Sequence, residues 1–141
     1  MTAPIPVTLI GGYLGAGKTT LVNSLLRNAN GRRLAVLVNE FGSLPIDGDL
    51  ITARDGNLIS ISGGCICCSF GSDLVAALVD MTARGQLIDH LLIETSGVAL
   101  PGSIVQSIGL LPGLALDGVI VLADAETIEE RARDRYMGDT V

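Results

Sequence analysis

The clearest chemical signal is a glycine-rich segment, Gly12-Tyr13-Leu14-Gly15-Ala16-Gly17-Lys18-Thr19-Thr20, which matches the phosphate-binding loop G-x-x-x-x-G-K-[ST]. In such a loop, successive backbone N–H groups converge on phosphate oxygens at the N-terminus of a helix. The lysine reaches the β- and γ-phosphates, and the threonine hydroxyl binds Mg²⁺. We therefore expect Lys18 and Thr19 to take part in catalysis, and a nucleotide to contact Gly12, Gly15, Ala16, Gly17, Lys18, Thr19 and Thr20.

The sequence on both sides of this loop supports that interpretation. Residues 7–10 are apolar and largely β-branched, which predicts a buried strand. Residues 19–26 carry leucine and valine pairs at i, i+4 spacing, which predicts a helix with an apolar stripe. Lys18 is the only lysine in the chain, and a planar guanidinium is a poor substitute for its compact ammonium. As a loop residue, Lys18 is expected to be exposed.

A second segment, Gly63-Gly64-Cys65-Ile66-Cys67-Cys68, contains every cysteine of the chain. Three cysteines within four residues cannot form a disulfide framework. Thiolates bind zinc and related metals strongly, and the two glycines would allow a tight backbone that directs three sulfurs to one point. Such a site leaves one tetrahedral position open, which suits metal delivery. The alternative is that these cysteines are small hydrophobic core residues.

Acidic residues follow predicted strands at positions where α/β sheets bind ligands. Glu94 comes directly after the apolar residues 91–93, and ligands of open sheets bind beyond the carboxyl ends of the strands. We expect Glu94 to hold a magnesium ion or its water shell, and Gly97 to offer a backbone N–H to the γ-phosphate. An exposed carboxylate at a strand end is the alternative for Glu94, and a plain turn is the alternative for residues 39–42 around Glu40.

Composition and periodicity indicate one α/β domain. The 141 residues are 48% hydrophobic but only 3% aromatic, as is typical of parallel strands covered on both faces. Predicted strands alternate with predicted helices, so we expect a P-loop NTPase fold with a doubly wound, mostly parallel sheet. Beyond the first strand and helix, the predicted strands are 34–38, 91–93 and 119–123, with short ones at 50–51 and 58–61. The predicted helices run from Ser72 to near Gly85 and from Pro101, and residues 126–135 form either a helix or a frayed tail.

The charge and hydropathy exclude some classes of partner. The net charge of −6 argues against binding to nucleic acid or to an anionic membrane. No apolar run has the length of a transmembrane helix, and no basic segment precedes the first apolar stretch, so we expect a cytoplasmic protein.

The order of these motifs resembles that of the CobW-like GTPases, relatives of the urease and hydrogenase nickel-insertion GTPases. The resemblance rests on the phosphate loop, Asn39-Glu40-Phe41-Gly42, the cysteine segment, Glu94-Thr95-Ser96-Gly97 and Val121-Leu122-Ala123-Asp124-Ala125. It implies a GTP-hydrolysing metallochaperone that uses GTP and Mg²⁺ and delivers Zn²⁺, Co²⁺ or Ni²⁺ to a client metalloprotein. Cys65, Cys67 and Cys68 would bind that metal, with Glu40 nearby in the first switch segment, and a homodimer is compatible with this family.

The sequence departs from the family pattern at two points. Ser43-Leu44-Pro45 stands where the family has a second acidic residue, and no Asn-Lys-x-Asp motif follows Asp124 to read guanine. We therefore expect residues 1–141 to form a partial GTPase domain, truncated before the guanine-specificity motif and without the family's C-terminal domain. Two other functions remain open: a non-catalytic fragment that binds metal and phosphate, and a thiol redox sensor.

Overall fold

A computed structural model describes residues 3–13, 15–38, 46–55, 58–69, 74–83, 88–95 and 101–133. These ranges contain one seven-stranded sheet with helices on both faces. The strands are β1 (Ile5–Gly12), β2 (Leu34–Val38), β3 (Ile51–Asp55), β4 (Leu58–Ile61), β5 (Ile66–Ser69), β6 (His90–Glu94) and β7 (Leu114–Leu122). The helices are α1 (Lys18–Arg27), α2 (Leu74–Ala83), α3 (Pro101–Gly109) and α4 (Ile128–Arg133), with short 3₁₀ turns at Gly48–Leu50 and Ser62–Gly64.

The sheet has the strand order β3-β4-β5-β2-β6-β1-β7. Strands β5, β2, β6, β1 and β7 are parallel to one another, whereas β4 runs antiparallel between β3 and β5. Because the carboxyl ends of parallel strands share one edge of a sheet, β1 and β6 deliver the residues that follow them to the same place. The mostly parallel sheet predicted from the sequence is confirmed.

Alternate residues of the central strands supply two separate cores. Ile5, Val7 and Leu9 of β1 pack in the core beneath α2 and α3, while Ile10 packs in the core beneath α1. Burial on both faces explains why these strands are almost uninterrupted apolar runs. The structure therefore confirms the doubly wound arrangement, with the helix after β1 on one face and the other two packed helices on the opposite face.

Several predicted boundaries move in the structure. Leu50 belongs to a 3₁₀ turn, so the strand predicted at 50–51 begins at Ile51 and extends to Asp55. Strand β7 begins at Leu114 rather than at 119, because its pairing with β1 continues across an irregularity in register between Val7 and Thr8. The predicted ends of α2, Ser72 and Gly85, lie outside the described residues.

Strand β7 is an edge strand with apolar side chains exposed on it. Leu116, Val119, Ile120 and Val121 each keep 42–47% of their surface accessible. Within the part of the chain that the structure describes, no helix is long and apolar enough to cross a bilayer.

Gly12, at the end of β1, is packed against the backbone of β7. Its φ of +135° is rarely adopted by residues with a side chain, and a Cβ there would overlap the Leu122 carbonyl oxygen. We predict that Gly12→Ala destabilises the protein by about 1–3 kcal/mol, from backbone strain alone. Thermal unfolding measures this, with Gly118→Ala on β7 as control, because a Cβ at Gly118 meets nothing within 4 Å. Equal melting temperatures for the two variants would contradict this packing.

Candidate functional site

The phosphate loop connects β1 to α1 and lines a cavity at the carboxyl edge of the sheet. Gly15 and Gly17 have φ values of +81° and +102°, which explains why glycine stands at both positions. Helix α1 then begins at Lys18, with no side chain capping its N-terminus. The cavity of about 330 Å³ is lined by Gly15, Ala16, Gly17, Lys18, Thr19, Thr20 and Glu94. The structure thus brings together six of the predicted loop residues and the predicted acidic residue.

The lysine of the loop is buried, not exposed as the sequence suggested. Only 8% of Lys18 is accessible, because its side chain folds back over the loop. Its Nζ donates to the carbonyl oxygen of Gly12 and, at 3.4 Å, to that of Tyr13. Carbonyl groups at the start of the loop therefore hold the ammonium beside the cavity that the loop lines.

Glu94 is the last residue of β6 and is likewise buried, with 8% of its surface accessible. In register, it lies between Ile10 of β1 and Val38 of β2, so it sits one strand away from the phosphate loop. The alternative interpretation, an exposed carboxylate at a strand end, is therefore wrong. A buried carboxylate in a cavity with the Thr19 hydroxyl group provides hard oxygen donors of the kind that Mg²⁺ prefers.

Thr95 holds the end of β6 against β1. Its backbone N–H and its Oγ1 both donate to the carbonyl oxygen of Ile10, at 3.0 and 3.3 Å, and 98% of its surface is buried. Sequence reasoning gave Thr95 no role of its own. The one feature of the sequence that could have indicated this role is the position of Thr95, directly after a predicted strand and its carboxylate, Glu94.

The cysteine segment is a 3₁₀ turn, Ser62–Gly64, that leads into a strand, with Cys67 and Cys68 on β5. Cys65 and Cys67 are buried in the core beneath α1, whereas Cys68 is half-buried against the core on the opposite face. The expectation that three sulfurs converge is therefore wrong in this structure, because successive side chains of a strand point to opposite faces. Among the described residues, no group of three histidine, cysteine or acidic side chains is arranged to hold a metal ion.

Each of the two inward cysteines has a distinct environment. The Sγ of Cys65 accepts a hydrogen bond from the Leu34 N–H at 3.3 Å and donates to the Arg32 carbonyl oxygen at 3.5 Å. Burial raises the pKa of the Cys67 thiol to about 12, with smaller contributions from Cys68 and from the negative charge of Glu94. Cys67 is therefore a neutral thiol at physiological pH, on the same face of the sheet as Glu94.

Two predicted site residues, Glu40 and Gly97, lie outside the described residues. Their roles at the metal and at the γ-phosphate stay predictions.

A larger cavity of about 540 Å³ lies near the other end of α1. His90 lines it and forms a hydrogen bond with Thr8, with 2.8 Å between Nε2 and Oγ1. Burial lowers the pKa of His90, so the ring is neutral at physiological pH. This cavity contains none of the predicted site residues.

The parallel sheet, the glycine loop and the buried carboxylate define a P-loop nucleotide-binding protein. Residues 6–140 match the family model described as CobW/HypB/UreG, nucleotide-binding domain. The chain belongs to that family.

Curated relatives and solved structures agree with this assignment. The chain is 36% identical to the zinc chaperone CobW of Sinorhizobium sp, over 96% of this chain and 40% of that protein. It is 42% identical to the zinc chaperone YjiA of Escherichia coli, over 91% of this chain and 43% of that protein. The crystal structure of Zn(II)-bound YjiA GTPase superposes with a TM-score of 0.71 at 36% identity, over 92% of this chain and 43% of that one. The chain thus spans about two-fifths of the length of these relatives.

The raised pKa of Cys67 predicts low thiol reactivity. At pH 8 the thiolate fraction of a group with a pKa near 12 is on the order of 10⁻⁴, and only the thiolate reacts with iodoacetamide. We expect Cys67 in a Cys65→Ser/Cys68→Ser variant to resist alkylation in the folded protein and to react readily in denaturant. Mass spectrometry follows the modification. Alkylation at the same rate with and without denaturant would contradict the burial of this thiol.

Proposed function

We propose that this chain is the nucleotide-binding part of a GTP-hydrolysing metallochaperone that delivers zinc to a client metalloprotein. One observation carries the proposal: the phosphate loop and the buried carboxylate of Glu94 line one cavity at the carboxyl edge of a parallel sheet. That arrangement has the electrostatic elements that phosphoryl transfer needs. The zinc chaperones and the GTPase among its relatives support the choice of nucleotide and cargo.

In the proposed complex, the loop binds the nucleotide through its phosphates. The N–H groups of residues 15–20 and the dipole of α1 favour negative charge beside the loop. Lys18 would exchange its hydrogen bonds to loop carbonyl groups for bonds to the β- and γ-phosphates. The N–H of Gly97 would contact the γ-phosphate and report its presence.

Magnesium fits the oxygen donors of this cavity. Thr19 would contribute its hydroxyl and Glu94 its carboxylate, directly or through the water shell of the ion. Bound there, the ion supplies neutralising charge to the β- and γ-phosphate oxygens. The protein's own contribution is to hold Lys18, Thr19 and Glu94 in fixed positions before the nucleotide arrives.

Zinc, the proposed cargo, would bind through Cys65, Cys67 and Cys68, with Glu40 as a further ligand. In the described conformation, the thiols of Cys65 and Cys67 lie on one face of the sheet and that of Cys68 lies on the other. We therefore propose that loading of zinc, or of the similar ions Co²⁺ and Ni²⁺, accompanies a change in the pairing of β5 with its neighbours. Thiol protons are released on binding, so affinity should fall at low pH.

A thiol redox sensor is less well supported. Sensor cysteines are accessible and have lowered pKa values, whereas Cys67 is buried and has a raised one. The second alternative, a fragment that binds metal and phosphate without turnover, differs from our proposal only in the absence of GTP hydrolysis.

The partners that we propose are GTP and GDP, the metal ion and a client metalloprotein. The net charge of −6 disfavours nucleic acid and anionic membranes, and a cytoplasmic location would keep the thiols reduced.

Under the proposed function, nucleotide binding depends on Lys18. We expect Lys18→Ala to weaken GTP and GDP binding by about 10- to 100-fold, because hydrogen bonds to charged groups contribute about 1.5–3 kcal/mol. Calorimetry measures the affinity, and circular dichroism checks the fold, since Lys18 is buried. Arg54→Ala is the control, because it removes the same charge from an exposed position on β3. A Lys18 variant that binds nucleotide as tightly as the parent would refute the proposed site.

The second prediction concerns the cysteines. Changing Cys65, Cys67 or Cys68 to serine should weaken Zn²⁺ binding more than tenfold, because each change removes one charged ligand. A competition titration against a chromogenic chelator measures this affinity, and the thiolate-to-cobalt absorption band should fade in the same variants. The same titration with GDP and with a non-hydrolysable GTP analogue measures how far the bound nucleotide changes the zinc affinity, a factor that we expect to be about 5- to 150-fold. Binding by the triple serine variant at the parent's affinity would show that the cysteines hold no metal.

A further inference from the structure

Asn23 is a buried amide on α1 whose two ends link separate parts of the backbone. Only 7% of Asn23 is accessible. Its Nδ2 donates to the carbonyl oxygen of Thr19 at 3.0 Å, and its Oδ1 accepts from the backbone N–H of Asp47 at 2.8 Å. One side chain therefore connects the first turn after the phosphate loop to the segment that precedes β3.

Apolar contacts and ion pairs near Asn23 also attach residues 46–50 to α1. Ile46 and Leu50 are buried in the same core as Val22 and Leu26 of the helix. Arg27, one turn after Asn23, pairs with Asp47 at 2.8 Å and with Asp49 at 2.9 Å. These ion pairs are largely exposed and contribute little, so the buried amide supplies most of the directional polar attachment.

The position of this attachment in the chain gives it a functional meaning. Residues 39–45, which include Glu40, connect Val38 to Ile46. Val38 is paired with Glu94 at one end, and Asp47 is bonded through Asn23 to Thr19 at the other. The described residues on either side of this segment, Val38 and Asp47, are therefore attached to backbone that carries the two residues we assign to magnesium.

We propose that Asn23 is a positioning residue that fixes the backbone of Asp47 relative to that of Thr19. This inference rests on the proposed function, because it assumes that Thr19 and Glu94 act on a bound nucleotide. Because the Asn23 side chain is hydrogen-bonded to both Thr19 and Asp47, a movement of the first turn of α1 also moves the backbone of Asp47. Asn23 thereby favours the triphosphate over the diphosphate without touching either.

The test compares Asn23, inside α1, with Asn28, which caps the C-terminus of the same helix. Asn23→Ala removes the link, whereas Asn28→Ala removes an exposed amide that donates to the Ser24 carbonyl oxygen of α1. We expect Asn23→Ala to lower the affinity ratio of a non-hydrolysable GTP analogue to GDP, with Mg²⁺ present, by about fivefold, the equivalent of one hydrogen bond of about 1 kcal/mol. Asn28→Ala should keep the parent's ratio. An unchanged ratio in Asn23→Ala would overturn the inference.

A second pair of variants removes the same hydrogen bond from its other end, and serves if Asn23→Ala does not fold. Asp47 has a φ of −58°, which proline adopts without strain. Asp47→Pro deletes the N–H that Asn23 accepts, while Asp47→Ala keeps it and loses only the exposed carboxylate. Asp47→Pro should reproduce the fivefold loss and Asp47→Ala should not.

These experiments distinguish a failure of the proposed function from a failure of the role assigned to Asn23. A parent protein that binds neither nucleotide refutes the proposed function, and the inference with it. A parent that binds both, with equal ratios in Asp47→Pro and Asp47→Ala, refutes the inference alone. Amide hydrogen exchange of Asp47 gives a readout without nucleotide: exchange in Asn23→Ala should be about fivefold faster than in the parent.

Discussion

The parallel pairing of β6 between β1 and β2 is the constraint on which the site depends. It sets Ile10, Glu94 and Val38 side by side at the carboxyl edge of the sheet. The glycine loop leaves β1 two residues after Ile10, so the carboxylate lies beside the loop without any long side chain reaching across. Since a slip of one residue in β6 would turn Glu94 to the opposite face, the register itself is part of the site.

The same constraint explains the burial of the charged groups. Lys18 and Glu94 are almost fully removed from solvent, at the first residue of α1 and the last residue of β6. Burial of a charge is costly unless polar groups compensate, and the loop carbonyls do so for the ammonium. Thr95 adds rigidity at this point, because both of its donors attach β6 to the last residue of β1 before the glycines. These hydrogen bonds fix the polar backbone around the cavity.

Much of this architecture could be predicted from the sequence, because local patterns determine it. The β1–loop–α1 unit follows from a motif that contains its own turn chemistry, and the place of Glu94 follows from a strand that ends in a carboxylate. The burial of Lys18 could not be predicted, because it depends on the conformation of a lysine whose partners are backbone carbonyls. Asn23 gave no signal either, since its second partner, Asp47, lies 24 residues away in the chain.

For the cysteines, the sequence predicted a geometry that the structure does not have. Their clustering suggested a metal site before the backbone was considered, and two adjacent glycines made a compact loop plausible. In the structure, pairing with both β2 and β4 makes residues 66–69 an interior strand, which separates Cys67 from Cys68. A pattern of ligand types therefore indicates candidate ligands, but it does not predict the backbone conformation that carries them.

The alternation of these thiols across β5 makes metal affinity a property of the whole sheet. If only molecules with an opened β5 can gather three sulfurs, the apparent dissociation constant equals the intrinsic one divided by the fraction of molecules in that state. Each tenfold reduction of that fraction, about 1.4 kcal/mol of strand pairing, weakens the measured affinity tenfold. Core residues that are not themselves metal ligands, such as Ile59 opposite Cys67, would then tune how tightly the protein holds its cargo. Release of the ion would be driven by β5 pairing again with β2 and β4.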